Sequence, residues 1–147
     1  MRGLLFSIFF ILFSIIIFAS SILIPMDAEG QKNHLKAYGI TYWVLSKQQK
    51  VQWLLNYRGG SFLLPDGESI RQECQIRGVS YEILSDAQTQ SILTEIGSPS
   101  QNQDAVILEK APRIAVYSPK ENPPWDDAVT MVLTYAEIPY TTIYDEE

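Results

Sequence analysis

The sequence predicts an α/β fold, and three observations carry the prediction. Residues 113–145 read as a strand, a proline-rich loop, a helix and a second strand. Residues 61–84 follow the same order of strand, helix and strand. Proline and glycine fall between these segments, where a chain has to turn. Strands joined in this way through a helix are expected to lie parallel, by right-handed crossovers. The last unit closes only a few residues before Glu147, so the sheet is expected to be incomplete on its C-terminal side.

The chain opens on Arg2 and an apolar run over residues 4–18 that only Ser7 and Ser14 interrupt, and Ala19, Ser20 and Ser21 follow. A positive charge, an apolar stretch and then small residues make a secretory signal, with a cleavage point after Ser21 and residues 1–21 as its extent. Counted from Gly3 to Ile24, the same stretch has no charge and is long enough to cross a bilayer as a helix. Signal peptide and retained membrane anchor both stay open. Either one exports the body from Pro25 onward, to the periplasm or beyond the cell. No cysteine follows the apolar run, so lipidation through a thiol is not available.

Residues 25–104 form the expected N-terminal α/β region. Its first part, residues 27–36, is polar and holds His34, the single histidine. Tyr38, Ile40, Tyr42 and Val44 alternate with Gly39, Thr41, Trp43 and Leu45, the two-residue period of a strand. A polar turn at residues 46–50 and a second apolar run at 51–57 complete an expected β-hairpin over 38–57. Arg58-Gly59-Gly60 breaks it, and Ser61-Phe62-Leu63-Leu64 resumes extended structure up to Pro65. Asp66 is placed to cap a helix bearing Ile70 and Cys74 on one face, and Gly78 ends that helix. Residues 79–84 are a strand. Ser85 and Asp86 cap the next helix, with Ile92, Leu93 and Ile96 inward and Gly97 past its end.

A polar connection at residues 98–104 marks the expected internal boundary, and residues 105–147 the start of a second α/β domain. Val106-Ile107-Leu108 is a short strand and residues 113–117 another. The loop that follows leads into a helix whose Val129, Val132, Leu133 and Ala136 share a face. Pro139 ends it, and Thr141-Thr142-Ile143-Tyr144 is the closing strand. Residues 81–86 match residues 140–145 in type and spacing, which duplication and the convergence of two helix-to-strand junctions both explain.

With 147 residues and 46% hydrophobic content, the chain can bury one ordinary core or two small ones. Its 11 Lys and Arg stand against 17 Asp and Glu, which excludes the basic surface that non-specific nucleic-acid binding needs. One cysteine excludes an intramolecular disulfide.

Candidate chemistry is sparse. Cys74 shares an apolar face with Ile70 and reads as a core thiol, while a dyad or a triad would have to recruit the lone His34. One cysteine and one histidine fall short of a zinc site. Asp145, Glu146 and Glu147, just past a strand end, offer oxygen ligands for magnesium or calcium, or form an exposed acidic strand end. The loop at residues 119–125 leads to a helix N-terminus that can receive an anion, but it lacks glycine, and Asp126 and Asp127 repel phosphate. Tyr38, Tyr42, Trp43, Trp53 and Tyr57 either line a binding surface or pack the expected hairpin. No residue is assigned a catalytic, cofactor-binding or metal-ligating role. No cofactor is expected, the ligand is unknown, and a membrane is touched only through residues 3–24.

The runs LKAYGITYWVL at residues 35–45, WLLNYRGGSF at 53–62, APRIAVYSP at 111–119 and PWDDAVTMVLTYAEIPY at 124–140 resemble an exported bacterial family commonly named asparagine synthetase B. The resemblance implies that residues 113–145 open a Rossmannoid domain similar to class I glutamine amidotransferases, continued in a longer protein. The chain departs from the chemistry of that name. Glutamine-dependent synthetases carry a cysteine right after the initiator methionine, where this chain has Arg2, and an ATP loop Ser-Gly-Gly-x-Asp-Ser that is absent here. The implied role is the binding or structural N-terminal portion of an amidotransferase-like protein. The alternatives are part of a hydrolase whose nucleophile lies downstream, or a membrane-anchored interaction module.

Overall fold

Residues 20–118 and 128–144 are described by the computed structural model. The order is β1 (Ser20–Ile24), α1 (His34–Ser46), β2 (Val51–Leu55), β3 (Phe62–Pro65), α2 (Glu68–Ile76), β4 (Glu82–Ser85), α3 (Asp86–Ile96), β5 (Asp104–Leu108), β6 (Ala115–Tyr117), α4 (Ala128–Ala136) and β7 (Thr141–Ile143). The α/β class holds. The expected parallel sheet holds only for β6 and β7, which pair in parallel with Ala115 opposite Thr141 and Tyr117 opposite Ile143.

The main sheet is antiparallel throughout, in the order β4-β1-β3-β2-β5. The cause is β1. It lies between β3 and β4 and runs against both, so the β3-α2-β4 unit is a parallel pair split by a strand from the far end of the chain. The β6-α4-β7 unit has no such insert, which distinguishes the two segments that look alike in sequence.

Residues 20–24, the tail of the N-terminal apolar run, are therefore a sheet strand and not the end of a membrane helix; Ile22, Leu23 and Ile24 are buried. Residues 1–19, with the rest of the expected signal or anchor, lie outside the described residues. Among the described residues no helix is long and apolar enough to cross a membrane.

The expected hairpin over 38–57 is a correction of a different kind. Residues 38–45 are helical, as part of α1. Ala37, Ile40, Thr41 and Val44 recur at helical spacing and are all buried, so the segment satisfies both periods and alternation misleads. Asn33 starts the helix, its Oδ1 accepting from the Lys36 amide at 3.3 Å. The real hairpin joins β2 to β3, with Gln52 opposite Leu63 and Trp53 opposite Phe62.

Helix starts elsewhere divide the same way. Ser85 caps α3 as expected, in a reciprocal box with Gln88: the Ser85 amide donates to Gln88 Oε1 at 2.9 Å, and the Gln88 amide to Ser85 Oγ at 3.4 Å. Asp66 does not cap α2. Gly67 takes that place without a side-chain bond, and Asp66 instead accepts from Ser20 Oγ.

Both faces of the main sheet are covered. Ile22, Ile24, Val51, Phe62 and Leu64 pack with Ile40 and Val44 of α1 and with Ile70 and Cys74 of α2. Leu23, Leu54, Leu63 and Leu84 pack with Ile92, Leu93 and Ile96 of α3. A strand covered on both sides reads as continuously apolar rather than alternating, which is why the tail of the N-terminal run passes for membrane sequence.

The β6-α4-β7 unit docks through α4 on α1. The helices meet at Gly39, where an added Cβ would stand 1.9 Å from the Ala136 carbonyl oxygen. Just beyond α4, Glu137 has a positive φ of 59° and reaches both Lys36 of α1 and Arg77 after α2, the latter at 3.3 Å. Replacing Gly39→Ala forces the helices apart. The expected cost is about 1–3 kcal/mol in urea unfolding, and an unchanged midpoint would contradict this packing.

Candidate functional site

One stripe of α1, Tyr38, Thr41, Tyr42 and Leu45, recurs at three- and four-residue spacing and faces the cross-strand pair Trp53 and Phe62. Ile107 and Leu108 of β5 extend that wall, and Glu109, Lys110, Pro112 and Ile114, together with Ile138 after α4, complete the lining. Together they line a cleft of about 540 Å³ at the seam between the five-stranded sheet and the β6-α4-β7 unit. The lining is mostly apolar.

The rings are held by specific contacts. Tyr38 meets Phe62 edge to face with centroids 5.5 Å apart, and Trp53 stacks on Phe62 at 6.1 Å. The Trp53 indole N–H donates to the Gly60 carbonyl at 3.0 Å, which fixes the ring. Tyr42 donates its hydroxyl to the Pro112 carbonyl at 3.0 Å and so ties α1 to the segment leading into β6. Tyr38 stays 44% exposed and Trp53 36%. At the rim, Lys50 Nζ lies 2.8 Å from Glu109 Oε1, and that hydrogen bond holds the Glu109 carboxyl below the usual carboxylate range.

Of the five aromatics singled out by sequence, the cleft collects Tyr38, Tyr42 and Trp53, together with Phe62. Trp43 packs against the core on the α1 side, with the Lys47 ammonium 5.6 Å from its ring. Tyr57 packs on the α3 side of the sheet. Strand alternation was the wrong reason to group the tyrosines; their spacing of four along α1 is the signal that unites them.

Cys74 is a core thiol as expected. It has no exposed surface, and burial pushes its pKa up to about 11, so it stays a neutral thiol at ordinary pH. His34 Nε2 bonds the Met26 carbonyl at 3.1 Å, and no hydrogen bond among the described residues links His34 to Cys74. Among the described residues no three His, Cys, Asp or Glu side chains gather as a metal set. Asp145, Glu146 and Glu147, the loop at residues 119–125 and Asp126 and Asp127 lie outside the described residues.

A polar cluster escaped sequence reasoning. Arg58, which the sequence offers only as a turn residue, bonds Asp27 through Nε at 2.7 Å and Glu82 through Nη1 at 2.8 Å. Its hydrogen bond holds the Asp27 carboxyl below its usual range, and the Gly30 amide adds to that. Gly59, at φ +78°, lets the loop approach the Met26 carbonyl, which an added Cβ would meet at 2.5 Å. One guanidinium thus bridges two carboxylates, and the cluster pins the loops together.

Comparison with family models, with curated proteins and with solved structures returns no match.

Two outcomes follow from these environments. Cys74 should resist Ellman's reagent at pH 8 in the native protein and react at once in denaturing urea; rapid native reaction would show the thiol to be open. Glu137 has its pKa lowered, chiefly by the hydrogen bond from Lys36. A lowered folded pKa means that the tie is fully formed above the ordinary glutamate range near 4.5 and is lost as pH falls through the lower folded value. Acid should therefore loosen α4 before the main sheet, seen as faster amide exchange in α4, and Lys36→Met should weaken that pH dependence, leaving only the part that Arg77 supplies. The effect is small because Glu137 is half exposed.

Proposed function

We propose that this chain is the binding portion of an exported α/β protein, with the aromatic cleft receiving an uncharged, ring-bearing ligand. The observation that carries the proposal is the convergence of Tyr38, Trp53 and Phe62 on one cleft, with the first two partly open to solvent. Exposed aromatic faces favour ligands that can stack, and a mostly apolar lining disfavours ligands that bring charge. Export rests on the apolar run ahead of the fold.

A second role has its own support. The parallel pairing of β6 and β7 around α4 is the unit from which a Rossmannoid, class I glutamine amidotransferase-like domain is built. In that role the chain belongs to an amide-hydrolysing protein, nominally of the asparagine synthetase B family, and the nucleophile is supplied by a part outside this chain.

Calorimetric titration with phenyl β-D-glucoside, a neutral probe with an aromatic and a sugar ring, tests the cleft. Saturable binding is expected, weakened about fivefold or more by Trp53→Ala or Tyr38→Ala, as the loss of a ring contact worth about 1 kcal/mol requires. Tyr57→Phe, on the other face of the sheet, should leave it unchanged. Absence of binding, or equal weakening by all three, would reduce the cleft to a packing seam.

A further inference from the structure

The two edges of the main sheet differ. At β4 the edge is blunted: the Ser85 amide is taken by Gln88 Oε1 at 2.9 Å, and Arg58 Nη1 holds Glu82 at 2.8 Å. At β5 it is open. The strand has neither proline nor lysine, and Val106 and Ile107, on its opposite faces, are 38% and 56% exposed.

The direction of the β5 backbone follows from its neighbours. The Leu54 amide donates to the Ser61 carbonyl at 2.8 Å, so Leu54 turns its backbone to β3 and Trp53 turns its own to β5. Trp53 pairs with Val106, which therefore faces inward, while Ala105 and Ile107 face outward. The Ala105 amide is met by Asp104 Oδ1 at 2.8 Å. The Ala105 carbonyl and both backbone groups of Ile107 have no partner among the described residues.

An outward backbone of this kind accepts another strand, and β5 is its own complement. In an antiparallel pairing across a two-fold axis, the outward residues of the strand meet in three registers: Ala105 on Ala105, Ala105 on Ile107, or Ile107 on Ile107. Only the third matches charge. It puts Asp104 opposite Lys110 of the other copy, twice by symmetry, whereas the first two put Asp104 opposite Val106 or Leu108. Lys50 takes the intervening Glu109, and neither Asp104 nor Lys110 has an ion-pair partner among the described residues. The same register sets Ile107 against Ile107 on one face and Val106 against Leu108 on the other, so each apolar side chain of the edge gains an apolar neighbour.

We propose that β5 is a self-pairing edge, which joins the sheets of two copies of this chain into one with Ile107 at the two-fold axis. This pairing is independent of what the cleft binds.

Ile107→Cys in the full chain, treated in the producing cells with a short membrane-permeant bismaleimide, tests it. Cys74 has no exposed surface and stays out of the reaction. A cross-linked dimer is expected from Ile107→Cys, but not from the parent chain nor from Ile83→Cys, whose site is half exposed on the β4 edge. In the Ile107→Cys background, Asp104→Lys or Lys110→Asp should lower the dimer yield about fivefold or more by setting like charges opposite, and the two together should restore it. Sedimentation equilibrium of the purified full chain and its charge variants, without the added cysteine, should rank the dimers in the same order. Monomer throughout, a cross-link to a different protein, an equal yield from Ile83→Cys, or a double variant no better than either single one overturns the proposal.

Discussion

Everything in the main sheet depends on the insertion of β1 between β3 and β4. Its backbone is bonded on both sides, and Ile22 and Ile24 enter one core while Leu23 enters the other. Without it the β3-α2-β4 unit would leave a gap of one strand width in the sheet, and the cores on its two faces would meet water through it. Its presence also turns a chain that reads as parallel β-α-β units into an antiparallel sheet.

The second constraint is the seam. Helix α4 can lie against α1 only because Gly39 offers no side chain to the Ala136 carbonyl, and the charges of Lys36, Glu137 and Arg77 then fix how the two helices meet. The aromatic cleft exists because that docking is local. The β6-α4-β7 unit touches α1 at Gly39 and through the Tyr42–Pro112 bond, and between those contacts the rings over β2 and β3 stay partly uncovered.

Features written in local chemistry were legible in the sequence. The Ser85 capping box, the ends of α2 and α3 at Gly78 and Gly97, the strand at Val106-Ile107-Leu108 and the parallel β6-α4-β7 unit all depend on residues close together in the chain. Features set by distant partners were not. Residues 38–45 of α1 place apolar or aromatic side chains at both helical and alternating spacing, so a helix and a strand account for them equally until the sheet behind them is known. The apolar tail at residues 20–24 has the composition of membrane sequence because both its faces are buried, and only the register with Leu64 and Ile83 shows the difference. Asp66 and Arg58 looked like a cap and a turn residue, and became anchors for β1 and for the loops through contacts about 25 to 45 positions away. The cleft followed the same rule: its aromatics were identified, but the α1 stripe that gathers them required the helix.

The placement of β1 has a kinetic side. Strand β1 precedes both of its neighbours in the chain, the more distant ending at Ser85, so the middle of the sheet cannot close until residues up to Ser85 have been produced. Loop closure over such separations is slow compared with the formation of a hairpin such as β2-β3. A chain built this way acquires its two-sided core only once β1 has closed onto both β3 and β4.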